Sequence, residues 1–177
     1  LLTAAPPGNA RRFSQDLVEE SVRKFLLTLW NTYSFFVTYA LLDGFEPTSA
    51  DPGEPMAELD RWIISELNQL IVGVTEEMED YNPTDAGRKI EAFVGELSTW
   101  YVRRSRRRFW KSENDGDKRS AYQTLYTCLV TLSKLMAPLT PFMAEEMYQN
   151  LVVASDPSAP DSVHLASFPV ADTARID

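Results

Sequence analysis

Apolar residues recur at intervals of three and four along five separate segments of this chain, and this spacing is the strongest constraint on its fold. Such a recurrence puts apolar side chains on one face of an α-helix, and that face needs a neighbour to cover it. The predicted helices cover roughly residues 14–43, 58–80, 83–111, 120–136 and 141–151. The sequence therefore predicts an all-α protein, a helical bundle of about five helices.

Capping residues mark the starts of three of these helices. Ser14, Asn82 and Thr140 each stand immediately before a periodic segment, and the last two are followed by proline. A short polar side chain can accept a hydrogen bond from a free backbone N–H of the first turn, and proline suits the first helical position. We expect all three side chains to cap their helices.

The first predicted helix is apolar around much of its circumference and ends at Gly44. An apolar surface of that width predicts a central helix that packs on several sides. No run of about 18 uncharged apolar residues occurs in the chain, so the sequence predicts no membrane span.

Three parts of the chain differ in composition. Residues 1–13 contain two prolines, a glycine and no periodicity, which predicts a linker. Residues 14–153 hold the periodic segments, and residues 154–177 are richer in serine, aspartate and proline, which predicts a loose C-terminal extended segment. Within it, residues 162–168 alternate between apolar and other residues, a pattern that predicts a short strand.

Positive charge is concentrated near the end of the third helix, where residues 100–111 read WYVRRSRRRFWK. Residues 88–111 carry eight cations and two acids, a net +6 in a chain of net charge −9. Guanidinium groups pair with phosphate oxygens and stack on bases, and indole rings offer stacking faces. The segment is therefore a candidate RNA-binding surface, although arginines at a helix end can also simply pair with local carboxylates.

The apolar stripe of this helix changes character along its length. It passes through Leu97 and Tyr101, and the same spacing then reaches Arg104 and Arg108. We therefore expect the last two turns to protrude beyond the bundle with both arginines exposed. Trp100 lies beside the stripe and is expected in the core, whereas Trp110 is expected in solvent or on RNA.

Catalytic and metal-binding motifs are absent from the sequence. The chain has one cysteine and one histidine, and it lacks a glycine-rich phosphate loop, a Gly-x-Ser-x-Gly elbow and a His-Glu-x-x-His pair. We therefore predict no catalytic, cofactor or metal site. Cys128 lies among apolar helix positions and is expected to be a buried structural thiol, which fits a reducing compartment.

Several stretches together resemble a known family. They are PPGNARRF (6–13), VRKFLLTLWNTY (22–33), LDRWI (59–63), WYVRRSRRRFW (100–110) and MAPLTPFMAEEMY (136–148). Over nearly all of residues 6–151 the chain is similar to the helical anticodon-binding domain of the isoleucyl-tRNA synthetases, which are class I enzymes.

The resemblance implies a role in charging tRNA with isoleucine in the cytoplasm. The family's enzymes use ATP and magnesium in a catalytic domain and carry an inserted editing domain. Neither of the family's catalytic signatures occurs here, so the chain looks like an excised domain, and its partners would be tRNA for isoleucine and those missing domains. The RNA-binding candidates are Arg23, Lys24, Asn31, Arg103, Arg104, Arg106, Arg107, Arg108, Trp110 and Lys111. The alternative is a protein-interaction module whose arginine-rich helix binds an acidic partner.

Overall fold

The computed structural model describes residues 14–47, 57–111 and 115–177, and these residues contain helices and no strand. The α-helices are α1 (Gln15–Ser21), α2 (Leu27–Asp43), α3 (Glu58–Glu79), α4 (Pro83–Glu96), α5 (Arg103–Trp110), α6 (Gly116–Met136) and α7 (Pro141–Tyr148). The π segments Val22–Leu26 and Leu97–Val102 join α1 to α2 and α4 to α5, and Gln149–Val153 extends α7. The described residues thus form five long helices, as predicted. The first helix is 15–43, and 83–110 is here called the arginine helix.

The predicted helix boundaries are largely confirmed, with one exception in the capping. The side chains of Ser14 and Asn82 each accept a hydrogen bond from the backbone N–H three residues on. Gly44, which ends the first helix, has a φ of 61°, a left-handed conformation that favours glycine. Thr140 precedes α7 but makes no capping bond, because its hydroxyl turns back toward the carbonyl of Met136 at 3.5 Å.

The centre of the bundle is α6 rather than the first helix, so that expectation is wrong. α6 buries side chains along its whole length, including Leu125 and Leu132, which are 0% exposed. In the first helix all buried residues lie in α2, because α1 and its π segment bury none. By length and composition alone the first helix could cross a membrane. The core helix of a soluble protein meets the same criteria, and the C-terminal half of this helix does reach the core.

Hydrogen bonds and ion pairs show how the helices run. α3 and the arginine helix are antiparallel, since Glu77 pairs with Lys89 at 3.2 Å while Asp60 accepts from Tyr101 at 2.7 Å. α6 is parallel to α3, and Ser120 near its start also donates to Asp60 at 2.9 Å. The end of the arginine helix therefore lies beside the starts of α3 and α6.

Residues 162–168 do not form the predicted strand. Val163–Leu165 is a 3-10 turn. The carboxylate of Glu145 on α7 accepts hydrogen bonds from the hydroxyl of Ser162 at 2.9 Å and from the backbone N–H of Val163 at 3.0 Å. Val163 is 3% exposed. The alternating residues at 162–168 thus belong to a turn whose Val163 is buried and which is bound to α7.

The C-terminal segment is docked rather than loose. The backbone N–H of Asp172 donates to the side-chain oxygen of Asn68 at 2.8 Å, and that of Asp177 donates to the hydroxyl of Ser65 at 3.0 Å. Both acceptors lie on α3 and are nearly buried. Two side chains of one helix therefore hold the last residues of the chain against the bundle. The linker predicted at residues 1–13 lies outside the described residues.

The single cysteine is buried, as predicted. Cys128 lies on α6 and is 0% exposed. Burial, with a smaller contribution from the charge of Asp60, raises the pKa of its thiol. A thiol with a raised pKa in an apolar interior is a poor nucleophile, which fits a structural role.

Candidate nucleic-acid interface

A π segment in the middle of the arginine helix determines which side chains its last turns bury. The backbone N–H of Arg103 bonds to the carbonyl of Ser98, five residues back, instead of four. One extra residue in a turn shifts the following helix by one position. The buried stripe therefore continues through Ser105 and Phe109, which are 0% and 1% exposed, and not through Arg104 and Arg108.

Arg108 is not exposed, so the prediction that it lies beyond the bundle is wrong. Its guanidinium donates to both carboxylate oxygens of Asp60, at 2.6 and 2.7 Å, and pairs with Asp117 at 2.8 Å. The side chains of Arg108 and Asp60 are 15% and 0% exposed. Burial alone would lower the pKa of Arg108, but the hydrogen bonds and charge of Asp60 outweigh it and raise that pKa. Arg108 therefore holds the helix in the bundle.

Lys111 is also engaged by carboxylates. Its ammonium pairs with Asp115 at 2.8 Å and with Asp117 at 2.9 Å, and these hydrogen bonds raise its pKa. The buried ammonium of Lys118 donates to the backbone carbonyl of Lys111 at 2.8 Å and pairs with Asp43 at 2.6 Å. Local carboxylates thus neutralise the last cation of the stretch.

Four arginines of the stretch remain outside these pairs. Arg103, Arg104, Arg106 and Arg107 are exposed, and no carboxylate of the described residues lies within ion-pair distance of any of them. Like charges three and four residues apart on a helix repel one another. An anion that bridges them would relieve that repulsion. We call the surface formed by these four residues, with Trp100 and Trp110, the arginine surface.

Two indoles flank the four arginines. Trp100 and Trp110 are 50% and 54% exposed. They stand ten residues apart, or about 15 Å along the helix axis. The guanidinium of Arg104 lies over the Trp100 ring at 4.3 Å, and that of Arg106 lies 5.9 Å from the centre of the Trp110 ring. The exposure predicted for Trp110 is confirmed, and its contact with RNA stays a prediction. The core position expected for Trp100 is wrong.

An aromatic cluster fixes the inner side of this helix. The ring of Phe109 packs edge-on against Phe35 of α2 at 5.3 Å and against Tyr122 of α6 at 5.0 Å between ring centres. Tyr39, one turn after Phe35, lies 6.4 Å from Trp110. Aromatic pairs of this geometry stabilise the packing beyond the contribution of the buried apolar area.

The candidates on the first helix do not all join the arginine surface. Asn31 is exposed and lies one turn before Phe35, so it is on the side of the first helix that faces α5. Arg23 is exposed at the start of this helix, and Lys24 pairs with Glu20 there. Lys24 is near Glu91 of α4, which precedes Arg103 by twelve residues, or about 18 Å of helix. The structure therefore separates Arg23 and Lys24 from the four arginines. Their role in RNA binding stays a prediction.

The role of Asp60 was not predicted from the sequence. This residue accepts four hydrogen bonds at full burial. A signal was available, because Asp60 lies three and seven residues before the buried Ile63 and Leu67. An acid on an apolar stripe predicts a buried partner of opposite charge.

No metal centre was found in the part of the chain that the structure describes. Within those residues no three histidine, cysteine, aspartate or glutamate side chains come close enough to hold an ion. The carboxylates at the end of the arginine helix are already paired with Arg108 and Lys111.

A helical bundle with an exposed arginine-rich helix fits an RNA-binding domain, and comparison with known proteins places the chain in a family of that kind. Residues 60–176 match the model of the anticodon-binding domain of tRNA ligases. This match covers more than half of the chain, so the chain belongs to that family.

Similar proteins extend the comparison to nearly the whole chain. It is 69% identical over 175 residues to an isoleucine–tRNA ligase of Dehalococcoides mccartyi, a match that covers 99% of this chain and 17% of that protein. It is 51% identical to the isoleucine–tRNA ligase of Thermus thermophilus, a match that covers 100% of this chain and 17% of that protein. It is 49% identical to the isoleucine–tRNA ligase of Streptomyces avermitilis, a match that covers 97% of this chain and 16% of that protein. The chain thus spans about a sixth of the length of these curated relatives.

Proposed function

We propose that this chain binds the anticodon stem-loop of tRNA for isoleucine through its arginine surface. In a longer protein it would serve an ATP-dependent isoleucine–tRNA ligase of the cytoplasm. The observation that carries the proposal is the set of four exposed arginines that have no carboxylate partner among the described residues, flanked by two half-exposed indoles. In a chain of net charge −9, such a group of exposed cations is suited to a polyanion.

The chemistry of the arginine surface favours RNA over a protein partner. The guanidiniums of Arg103 and Arg107, one turn apart, can contact adjacent phosphates. The indoles of Trp100 and Trp110 each present a ring face to which an unpaired base can add by stacking. Acidic side chains of a protein would satisfy the arginines but would leave both indoles without a matching group.

The remaining parts of the proposal concern the longer protein. The names of the relatives support a ligase specific for isoleucine, whose own catalytic and editing domains would be the protein partners of this chain. ATP and magnesium would act in that catalytic domain. This chain would contribute the recognition of tRNA and no step of the chemistry.

A binding competition tests the proposal. A fluorescein-labelled transcript of the isoleucine tRNA is bound to the 177-residue chain and displaced by unlabelled transcript, by a transcript with an altered anticodon, or by polyglutamate. We expect the unlabelled transcript to compete best, the altered one to compete less well, and polyglutamate to compete poorly. Equal and weak competition by tRNA and polyglutamate would favour an acidic protein partner instead.

A further inference from the structure

We propose that Asp60 is a positioning residue for RNA recognition, because by holding Arg108 it fixes the rotation of α5 and so decides which arginines face the RNA. The inference rests on the proposed function and assigns a role to a residue that touches no RNA itself. It concerns the helix rotation, which neither the family nor the relatives' names address.

Besides Arg108, α5 contacts the bundle mainly through the rings of Phe109 and Trp110. Of its eight residues only Ser105 and Phe109 are buried, and the Ser105 hydroxyl has no hydrogen-bond partner in the part of the chain that the structure describes. Ring contacts of this kind tolerate a range of orientations and distances. The fork between Arg108 and Asp60 does not, because two parallel N–H to oxygen bonds fix both distance and direction.

The Asp60 carboxylate ties three helices together. It accepts two hydrogen bonds from Arg108, one from the Tyr101 hydroxyl at 2.7 Å and one from the Ser120 hydroxyl at 2.9 Å. Its lone pairs are thus used by the arginine helix and by α6 at once. A buried ion pair adds little net stability compared with an apolar replacement, and its best-attested use is to select one arrangement over others.

Rotation of α5 about its axis would change which residues form the arginine surface. Neighbouring residues of a helix point about 100° apart. A shift by one position would therefore place Arg107 or Phe109 beside Asp60 instead of Arg108. An inward Arg107 would be lost to RNA. The Asp60 carboxylate is therefore suited to hold Arg103, Arg104, Arg106 and Arg107 outward together.

Removing the charge of Asp60 provides a test, because loss of positioning and loss of negative charge are expected to change the RNA affinity in opposite directions. Asp60→Asn removes one negative charge near the arginine surface, so electrostatics alone would strengthen RNA binding. Loss of positioning would weaken it. A purely structural role would lower the melting temperature and leave the affinity and salt dependence of the folded chain unchanged.

The experiment measures binding of a fluorescein-labelled isoleucine tRNA transcript by the 177-residue chain across a range of salt concentrations. If one phosphate contact is lost, D60N binds about fivefold more weakly at about 0.1 M salt, and the slope of log K against log salt is smaller by about one. Val74→Ala is the control, because Val74 is a buried residue of the same helix far from α5. V74A is expected to lower stability without changing the slope.

Arg108→Lys provides a second, charge-conserving variant. Lysine keeps the positive charge but cannot form the fork, so R108K is expected to show the same weaker binding and smaller slope. If D60N does not fold, R108K decides the question. Wild-type affinity and slope in a folded D60N or R108K chain would overturn this inference alone. Failure of the wild-type chain to bind tRNA would contradict the proposed function and the inference with it.

Discussion

The guanidinium of Arg108 and the carboxylate of Asp60, 48 residues apart in sequence, form a two-pronged ion pair with distances of 2.6 and 2.7 Å. Arg107, the preceding residue, is exposed and has no carboxylate partner within the described ranges. Two adjacent arginines thus have different surroundings, which makes them a matched pair for mutation.

Replacing Arg108 by alanine is expected to destabilise the chain strongly. The change leaves the Asp60 carboxylate buried without its charge partner, a loss of about 3–5 kcal/mol. Arg107→Ala is the control and should change the free energy of unfolding by less than about 0.5 kcal/mol. Urea unfolding of both variants measures the difference, and equal stability of the two would contradict the role assigned to Arg108.

Trp100→Ala is expected to weaken tRNA binding more than it lowers stability. Trp100 is half exposed, so part of its ring is available to an unpaired base. Loss of one base stack costs about 1–3 kcal/mol of binding free energy. Trp30→Ala, which removes another partly exposed indole, is the control and should leave the affinity unchanged. Anisotropy titrations at one salt concentration compare the two, and equal losses of affinity would argue against stacking at Trp100.

The helices of this chain could be predicted from its sequence because their causes are local. The cap at Asn82, the proline after it and the three-and-four spacing define the start and face of the arginine helix within a few residues. The burial of Ser105 and Phe109 could not be predicted in this way. It depends on the extra residue of the π segment Leu97–Val102, which no change in the sequence pattern marks.

Docking of the C-terminal segment was missed for a different reason. The residues that hold it, Ser65 and Asn68, are more than 100 positions away in sequence, and the bonds come from backbone N–H groups that no residue pattern identifies. The exposed arginines were predictable as a cluster of charge. Which arginines would face solvent was not, because that follows from the π segment and from the buried pair of Arg108 with Asp60.

Asn68→Ala is expected to loosen the end of the chain selectively. The side-chain oxygen of Asn68 accepts from the N–H of Asp172 at 2.8 Å, and loss of such a bond costs about 1 kcal/mol. Hydrogen exchange should accelerate in peptides that cover residues 168–177 and remain unchanged in α6. Glu76→Ala, at an exposed position about two turns further along α3, is the control, and similar exchange in both variants would show that Asn68 does not hold the segment.

Acid sensitivity should depend in part on Asp117. Burial alone would raise its pKa, but Lys111 and Arg108 outweigh burial and lower that pKa from the ordinary 3.8. The unfolded chain therefore binds a proton here more readily than the folded chain. The stabilisation by Asp117 is present above the ordinary pKa and is lost as the pH falls through the lowered value.

Asp117→Asn is accordingly expected to make the fall in unfolding free energy between about pH 5 and pH 2 shallower than in the wild type. Urea unfolding at a series of pH values measures it. Asp161→Asn is the control, because Asp161 makes no ion pair among the described residues. An equally steep fall in D117N and the wild type would show that the ion pairs of Asp117 do not contribute.

The salt dependence of tRNA binding tests the central claim most directly. If the four arginines contact about four phosphates, the slope of log K against log salt should be roughly −3 to −4. Arg103→Ala with Arg107→Ala should reduce the magnitude of that slope by about two. Arg88→Ala with Lys89→Ala removes the same charge from the other end of the same helix and should leave the slope nearly unchanged. Equal slopes for both double variants and the wild type, with all three chains folded, would contradict RNA recognition by the arginine surface.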